Sequence, residues 1–251
     1  MNKGLVIPSP FLQSDQILLT DHKKVYEQEA TQYQRLISRE DFQGNLLPAI
    51  LDIIPVDNLD VVDLGAGTGR LSCLLAPFVN SLNTFDLSTH MLEIASDCLQ
   101  DGGYKNWQTA AADHRQIPLQ NRSVDLVISG WSLCYLVVWE ADKWDIELEK
   151  GLAEISRVLR SNGVTIIIET LGTGTEIPKP PDKLNIYLEY LDSLGFQKKW
   201  IRTDYRFESR DEAKELTEFF FGEEMLDKIQ TGTNPVLPEC TGIWWNKTWG
   251  N

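Results

Sequence analysis

Val61-Val62-Asp63-Leu64-Gly65-Ala66-Gly67-Thr68-Gly69-Arg70 is the stretch that decides the fold of this 251-residue chain. An apolar run ends in Asp63, glycines follow at the alternate positions 65, 67 and 69, and an amphipathic segment begins with Leu71, Leu74 and Leu75. That order predicts a strand over 60–64, a turn without side chains, and a helix over 69–78. Such a turn brings backbone N–H groups and a helix N-terminus close to a polar ligand. Dinucleotide fingerprints are usually G-x-G-x-x-G, with the third glycine one residue later than here. Taken alone, the decapeptide is also compatible with an ordinary glycine-rich turn between strand and helix.

Outward from this stretch, short apolar runs alternate with helical patterns. Strand 82–86 leads to helix 89–99, and strand 107–112 to a loop holding Ile117-Pro118-Leu119. Strand 124–129 leads through an aromatic loop to helix 145–160, and the turn Asn162-Gly163 precedes strand 164–169. Short strands separated by helices predict an α/β fold, a parallel sheet covered on both faces. Upstream, Tyr26, Ala30, Tyr33 and Ile37 recur at helical spacing over 22–38, with Thr20 or Asp21 as cap. Residues 1–20 read as an irregular arm. A second helix is expected over 42–53, stopped by Pro55. Downstream, Gly172, Gly174, Pro178, Pro180 and Pro181 mark a loop. Helix 183–194, strand 198–205, helix 211–229 and the aromatic strand Ile243-Trp244-Trp245 follow. Helix 211–229 stands where a short turn would suffice, so it reads as an insertion.

Composition narrows the function. Hydrophobic residues make up 42% of the chain, enough for a core, and no run approaches the roughly 18 apolar residues of a membrane span. The N-terminal apolar run is too short for a secretory signal, so a cytoplasmic location is expected. The net charge of −14 disfavours nucleic acid as a partner. Lys198, Lys199 and Arg202, the best basic cluster, read as a solvated strand face. Cys73, Cys98, Cys134 and Cys240 show neither zinc-site nor disulfide-framework spacing and read as small apolar residues.

A parallel sheet binds ligands at the carboxyl ends of its strands. Asp86 ends the second strand, 17 residues beyond Gly69. An acid there can accept hydrogen bonds from the cis-hydroxyls of a ribose. The alternative is a helix cap, supplied by Asp86 or Ser88. Asp113, after the third strand, is placed to accept from an adenine amine.

The pattern Asp63-x-Gly65-x-Gly67-x-Gly69 resembles motif I of the class I S-adenosylmethionine-dependent methyltransferases, of the small-molecule "methyltransferase type 11" kind. Asp113-His114-Arg115-Gln116-Ile117-Pro118-Leu119 with Ser123-Val124-Asp125-Leu126-Val127, and Arg157-Val158-Leu159-Arg160-Ser161-Asn162-Gly163, resemble two further stretches of that family in the same order. The resemblance covers 61–169 well and the flanks loosely. It implies a Rossmann-like, seven-stranded, mostly parallel sheet with helices on both faces and an antiparallel last strand. It also implies N-terminal helices and a helical insertion before that strand.

The resemblance implies S-adenosyl-L-methionine as cofactor, S-adenosyl-L-homocysteine as product, and no metal. The cofactor would be held by Asp63, Gly65, Ala66, Gly67, Asp86, Leu87, Asp113, His114, Ser129 and Tyr33, with Asp63 ordering the glycine loop. Helix packing is the alternative role for Tyr33. A histidine that many relatives carry after strand four is replaced here by Ser132-Leu133-Cys134-Tyr135-Leu136. No catalytic residue is therefore assigned, and Tyr135 is the candidate that remains. No "N/D-P-P-Y" motif follows strand four, which argues against methylation of the exocyclic amines of bases or of glutamine amides. Trp131, Tyr135 and Trp139 are expected at an acceptor pocket, or as apolar cover.

The expected organisation is one methyltransferase domain over 1–251. It comprises a helical cap (1–55), a cofactor-binding core (56–170) and a C-terminal part (171–251) with an insertion at about 206–238. The expected reaction is in-line methyl transfer to a small or medium-sized organic acceptor. A protein or RNA methyltransferase, and a non-catalytic cofactor-binding protein, are the alternatives. The sequence leaves the acceptor and the oligomeric state open.

Overall fold

The computed structural model describes residues 24–26 and 28–247. Among the described residues, helices α1 (Ala30–Ile37) and α2 (Leu46–Leu51) precede the sheet. The expected caps of the first helical segment, Thr20 and Asp21, lie outside the described residues, as does the arm 1–20. Helix α2 is shorter than expected because Asp41 reaches forward: its carboxylate accepts the N–H groups of Asn45 and Leu46 at 2.8 and 3.0 Å.

The alternating section follows as β1 (Asp60–Leu64), α3 (Arg70–Leu75), β2 (Ser81–Asp86), α4 (Thr89–Asp101), β3 (Trp107–Ala111) and β4 (Val124–Gly130). Next come α5 (Cys134–Val138), α6 (Trp144–Val158) and β5 (Leu159–Thr173). The C-terminal part holds α7 (Asn185–Ser193), β6 (Gln197–Arg202), β7 (Tyr205–Arg206), α8 (Arg210–Phe221), β8 (Val236–Leu237) and β9 (Glu239–Asn246).

Seven strands form one sheet in the order β3-β2-β1-β4-β5-β9-β6. β1 pairs in parallel with β2 and β4, β2 with β3, and β4 with β5, while β9 runs antiparallel between β5 and β6. The strand order reverses at β1/β4, and the chain leaves both strands there toward the ligand edge. Leu159 pairs with Val124 and Val164 with Leu126, so residues 160–163, with the expected Asn-Gly turn, bulge out of β5. The predicted strand 198–205 divides: Tyr205 and Arg206 leave the main sheet and pair with Val236 and Leu237. The predicted helix 211–229 ends at Phe221, where Gly222 (φ +91°) turns the chain into a 3-10 stretch, Glu223–Lys228.

Both faces of the central strands are dry, which is why β1, β4 and β5 read as near-continuous apolar runs, while the edge strands β3 and β6 stay partly exposed. Val62, Leu64, Val127 and Ile167 pack with Leu148, Leu152 and Ile155 of α6 and Leu188 and Leu191 of α7. Their neighbours Val61, Leu126, Ile128, Ile166 and Ile168 face Ile50 of α2, Leu71 and Leu75 of α3, and Leu99 of α4. The period-two alternation thus divides one set of strands between two cores.

A third cluster joins α1 to the insertion through Leu36, Tyr205, Phe207, Leu216 and Leu237. Arg35 and Glu215 also meet across this contact at 2.7 Å, but their side chains are 47% and 49% exposed. A solvent-exposed pair of this kind is screened and contributes little, whereas each buried Leu or Phe contributes about 1.5–3 kcal/mol, so the apolar cluster docks the insertion. No helix among the described residues is long and apolar enough to cross a membrane.

Candidate functional site

The carboxyl ends of β1, β2, β4 and β5 open into a cavity of about 1070 Å³. That is at the upper end of the size of a pocket for one drug-sized ligand, and leaves room for two smaller molecules side by side. Its wall includes Asp63, Gly65, Ala66, Gly67, Asp86, Leu87, Asp113, His114 and Tyr33, together with Trp131, Tyr135 and Trp139. Ser129 is not brought to this wall: it is buried beneath it, its hydroxyl without a partner, and Gly130 and Trp131 line the cavity instead.

The glycine loop uses its N–H groups internally. Gly65 and Ala66 both donate to the Phe85 carbonyl at 2.8 Å, Gly69 donates to Ala66 at 2.9 Å, and Gly67 donates to Asp86 Oδ2 at 2.8 Å. These four N–H groups are therefore engaged within the protein. Each glycine has its own reason. A Cβ on Gly65 would lie 1.7 Å from Ser132 Oγ and 2.8 Å from His114 Nε2, and one on Gly69 would lie 2.8 Å from the Ala95 Cβ. At Gly67 (φ +54°) only Tyr33 comes as near as 3.9 Å, so there the absent side chain leaves the cavity open.

Asp86 grips the loop and the next helix at once. Oδ2 accepts from Gly67, and Oδ1 accepts from the Ser88 N–H at 2.8 Å. The capping role belongs to Ser88, whose hydroxyl accepts the Met91 N–H at 3.3 Å. Burial pushes the Asp86 carboxyl up, and the backbone N–H bonds pull it back. Asp63 is fully buried; Oδ2 takes the Ser72 hydroxyl at 2.7 Å, tying β1 to α3, and Oδ1 has no partner. Burial raises Asp63 to about 7.

Asp113 is clamped by Arg115, whose Nε and Nη2 reach its two oxygens at 2.8 and 2.6 Å. That clamp holds its carboxyl below the usual range. His114 is buried, with Nε2 2.9 Å from Ser132 Oγ, and burial lowers it to about 4, so it is neutral near pH 7.

An aromatic wall faces the loop. Tyr33 meets Tyr26 edge-on at 5.3 Å and Phe220 of α8 at 5.4 Å. The Tyr26 and Tyr135 hydroxyls are 2.6 Å apart, and Tyr135 stacks on Trp139 at 4.5 Å. Burial holds the Tyr135 hydroxyl well above its ordinary value, which disfavours it as a base. Trp131 sits at positive φ (+51°), with the Arg70 guanidinium 4.1 Å above its ring.

Two carboxyls that sequence reading passed over also line the cavity. Glu169 in β5 accepts the Cys134 N–H at 3.1 Å and the Tyr187 hydroxyl at 3.0 Å through Oε1, and its Oε2 has no partner. Glu239 opens β9; Oε1 takes the Thr170 hydroxyl at 2.6 Å, and Oε2 has no partner. Burial raises Glu169 to about 7, and burial with the nearby Glu40 raises Glu239 to about 8. A signal for Glu169 existed: a charge closing the run Ile166-Ile167-Ile168 at the carboxyl end of a strand. For Glu239 no local signal existed, because only the antiparallel direction of β9 brings its first residue to this edge.

Comparison with known proteins agrees with this architecture. Residues 62–167 match the model of a methyltransferase domain. The chain is 32% identical over 141 residues to a malonyl-[acyl-carrier protein] O-methyltransferase of Marinomonas sp., covering 55% of this chain and 48% of that protein. It is 28% identical over 134 residues to phosphoethanolamine N-methyltransferase 1 of Caenorhabditis elegans, covering 53% of this chain and 26% of that protein. The chain thus spans about half the length of the first of these relatives and about a quarter of the second. In fold it resembles a SAM-dependent methyltransferase from Aquifex aeolicus, with a TM-score of 0.52 at 18% identity, over 90% of this chain and 97% of that one. Motif, sheet order and matched stretch agree: residues 62–167 form a methyltransferase domain, within a fold shared with S-adenosylmethionine-dependent methyltransferases.

Proposed function

We propose that this chain, as a single domain, transfers the methyl group of S-adenosylmethionine to a small or medium-sized organic acceptor. The observation that carries the reading is the pairing of an open glycine, Gly67, with the Asp86 carboxylate on the wall of one large cavity. Each Asp86 oxygen accepts one backbone N–H and keeps a lone pair for a ribose hydroxyl. Asp113, held ionised by Arg115, accepts from the adenine amine, and Tyr33 packs over the cofactor opposite Gly67. Bound there, the cofactor supplies a methyl carbon already activated on a sulfonium, so the protein's task is alignment and exclusion of water.

The aromatic wall of Tyr26, Tyr135, Trp139 and Phe220 provides that exclusion. A nucleophile that still holds its proton needs a group to take it. We assign this role to Glu169 rather than Tyr135, since its raised carboxyl and free Oε2 suit proton exchange near neutral pH. The names of the two relatives place the methyl on oxygen in one and on nitrogen in the other, so they support no choice of acceptor atom. The malonyl relative's name favours a second reading, an acceptor presented on a carrier protein. The lysines at the cavity rim, Lys179, Lys183 and Lys228, would then meet an acidic carrier surface.

Calorimetry with S-adenosylhomocysteine tests the cofactor assignment; no binding at high micromolar ligand would refute it. Glu169→Gln should lower kcat at least tenfold while leaving that affinity within twofold.

A further inference from the structure

Cys73 and Cys98 face each other across the contact between α3 and α4 with their sulfurs 2.6 Å apart. Two unbonded sulfurs at van der Waals contact lie about an ångström farther apart, and a disulfide is about 2.05 Å. The pair lies on a definite seam. Gly69, four residues before Cys73, packs on Ala95, three residues before Cys98. On a helix, residues three and four apart share one face, so the Gly69/Ala95 and Cys73/Cys98 contacts are successive rungs. The first rung is the last glycine of the cofactor loop. Both thiols are free and only half-buried, whereas Cys134 and Cys240 are buried elsewhere.

We propose that Cys73 and Cys98 form a reversible disulfide that staples α3 to α4 behind the glycine loop. With a disulfide oxidant such as oxidised glutathione, the Cys98 thiolate attacks one glutathione sulfur and expels the other as a thiolate. The Cys73 sulfur, deprotonated, then attacks the Cys98 sulfur of the mixed disulfide and expels the second glutathione. Two protein thiols are oxidised, two glutathione thiols are produced, and two protons pass from protein to product. Burial and the neighbouring Cys98 push the Cys73 thiol up, which makes Cys73 the slower of the pair to open the reaction. Closure needs little movement, so the staple fixes the loop in the geometry described above. The consequence for the cofactor rests on the function proposed above: the oxidised chain binds S-adenosylhomocysteine no more weakly than the reduced chain.

The test uses the full chain, reduced and then equilibrated with oxidised glutathione. Titratable thiols should fall from four to two, the difference removed by the Cys73–Cys98 bond. Intact mass should fall by two hydrogens, and a peptide map should join residues 73 and 98. The melting temperature should rise by about 5–10 °C, since the bond closes a loop of about 25 residues. Cys73→Ala and Cys98→Ala should each abolish the rise, and each variant's own melt reports whether it folds. Retention of four thiols, pairing with Cys134 or Cys240, crosslinking between chains, or a loss of S-adenosylhomocysteine affinity beyond threefold on oxidation would overturn the proposal. If neither redox form binds S-adenosylhomocysteine but the 73–98 bond forms, the cofactor assignment falls and the staple stands.

Discussion

Asp86 offers the sharpest test of how the cavity reads its ligand. Both carboxylate oxygens accept backbone N–H groups, Gly67 at 2.8 Å and Ser88 at 2.8 Å. Asparagine at this position must turn its NH₂ toward one of those donors, so Asp86→Asn is nearly as severe as Asp86→Ala. A hydrogen bond to a charged group contributes about 1.5–3 kcal/mol, so two ribose hydroxyls together represent about 3–6 kcal/mol. Asp86→Ala should therefore weaken S-adenosylhomocysteine by about 10²–10⁴-fold, at about 1.4 kcal/mol per decade.

Loosening of the Gly67 loop contributes to that loss, and the 2′-deoxyribose analogue separates the two effects. Wild type should prefer S-adenosylhomocysteine over the analogue by about 10–100-fold, the value of one such bond. In Asp86→Ala that preference should fall to within about threefold, because the deleted hydroxyl no longer has the carboxylate to meet. Calorimetry on both proteins with both ligands completes the cycle. An undiminished preference in the variant would mean that the ribose is held elsewhere and the assignment is wrong.

Glycine substitutions should separate by neighbour rather than by motif position. Gly65→Ala drives a Cβ into Ser132 and should cost more than about 3 kcal/mol in urea unfolding. Gly67→Ala, with open space, should cost only the roughly 1–2 kcal/mol of a left-handed backbone, yet still impair the cofactor; equal losses would contradict the geometry. At the insertion, Leu216→Ala should cost about 2–5 kcal/mol while Glu215→Gln leaves the urea midpoint nearly unchanged; the reverse order would make the ion pair the anchor.

Stability should fall as pH rises from about 5 to 8. Glu169 and Asp63 at about 7 and Glu239 at about 8 stand above the unfolded carboxyl value of roughly 4. Within that window the folded chain holds protons that the unfolded chain has released, and each such group lowers stability by up to about 1.4 kcal/mol per pH unit. Glu239→Gln should flatten the decline; an unchanged slope would show that its carboxyl is ionised in the fold.

The sheet was legible because its information is local. β1, β4 and β5 each contain a short apolar run, β2 and β3 are mixed strands placed by the alternation with helices, and Gly65, Gly67 and Gly69 mark the crossing to α3. Asp86 was legible for the same reason, standing at the end of a strand at the right offset. That Ser129 lies beneath the wall rather than on it was not legible, because strand-end position does not say which face of a pleat a side chain takes. The split of strand 198–205 escaped notice because β7 is made by a distant partner, β8. Gly65 was read as ligand-facing and Gly69 only as part of the turn, whereas Ser132 and Ala95, remote in sequence, occupy the space beside them. The cysteine pair illustrates the same limit: residues 73 and 98 meet only once two helices pack.

The antiparallel course of β9 has an evolutionary corollary. A parallel strand arrives at the ligand edge with its last residue, but β9 arrives with its first, Glu239. The segment from Tyr205 to Leu237 is therefore tethered at both ends near the cavity mouth, to β6 behind it and to β9 ahead. It can lengthen, shorten or change its apolar lining while the strand pairing of β1, β2 and β4 is untouched. On the function proposed above, most of the acceptor side and most of the cofactor side then lie on different pieces of the chain, joined where Phe220 meets Tyr33.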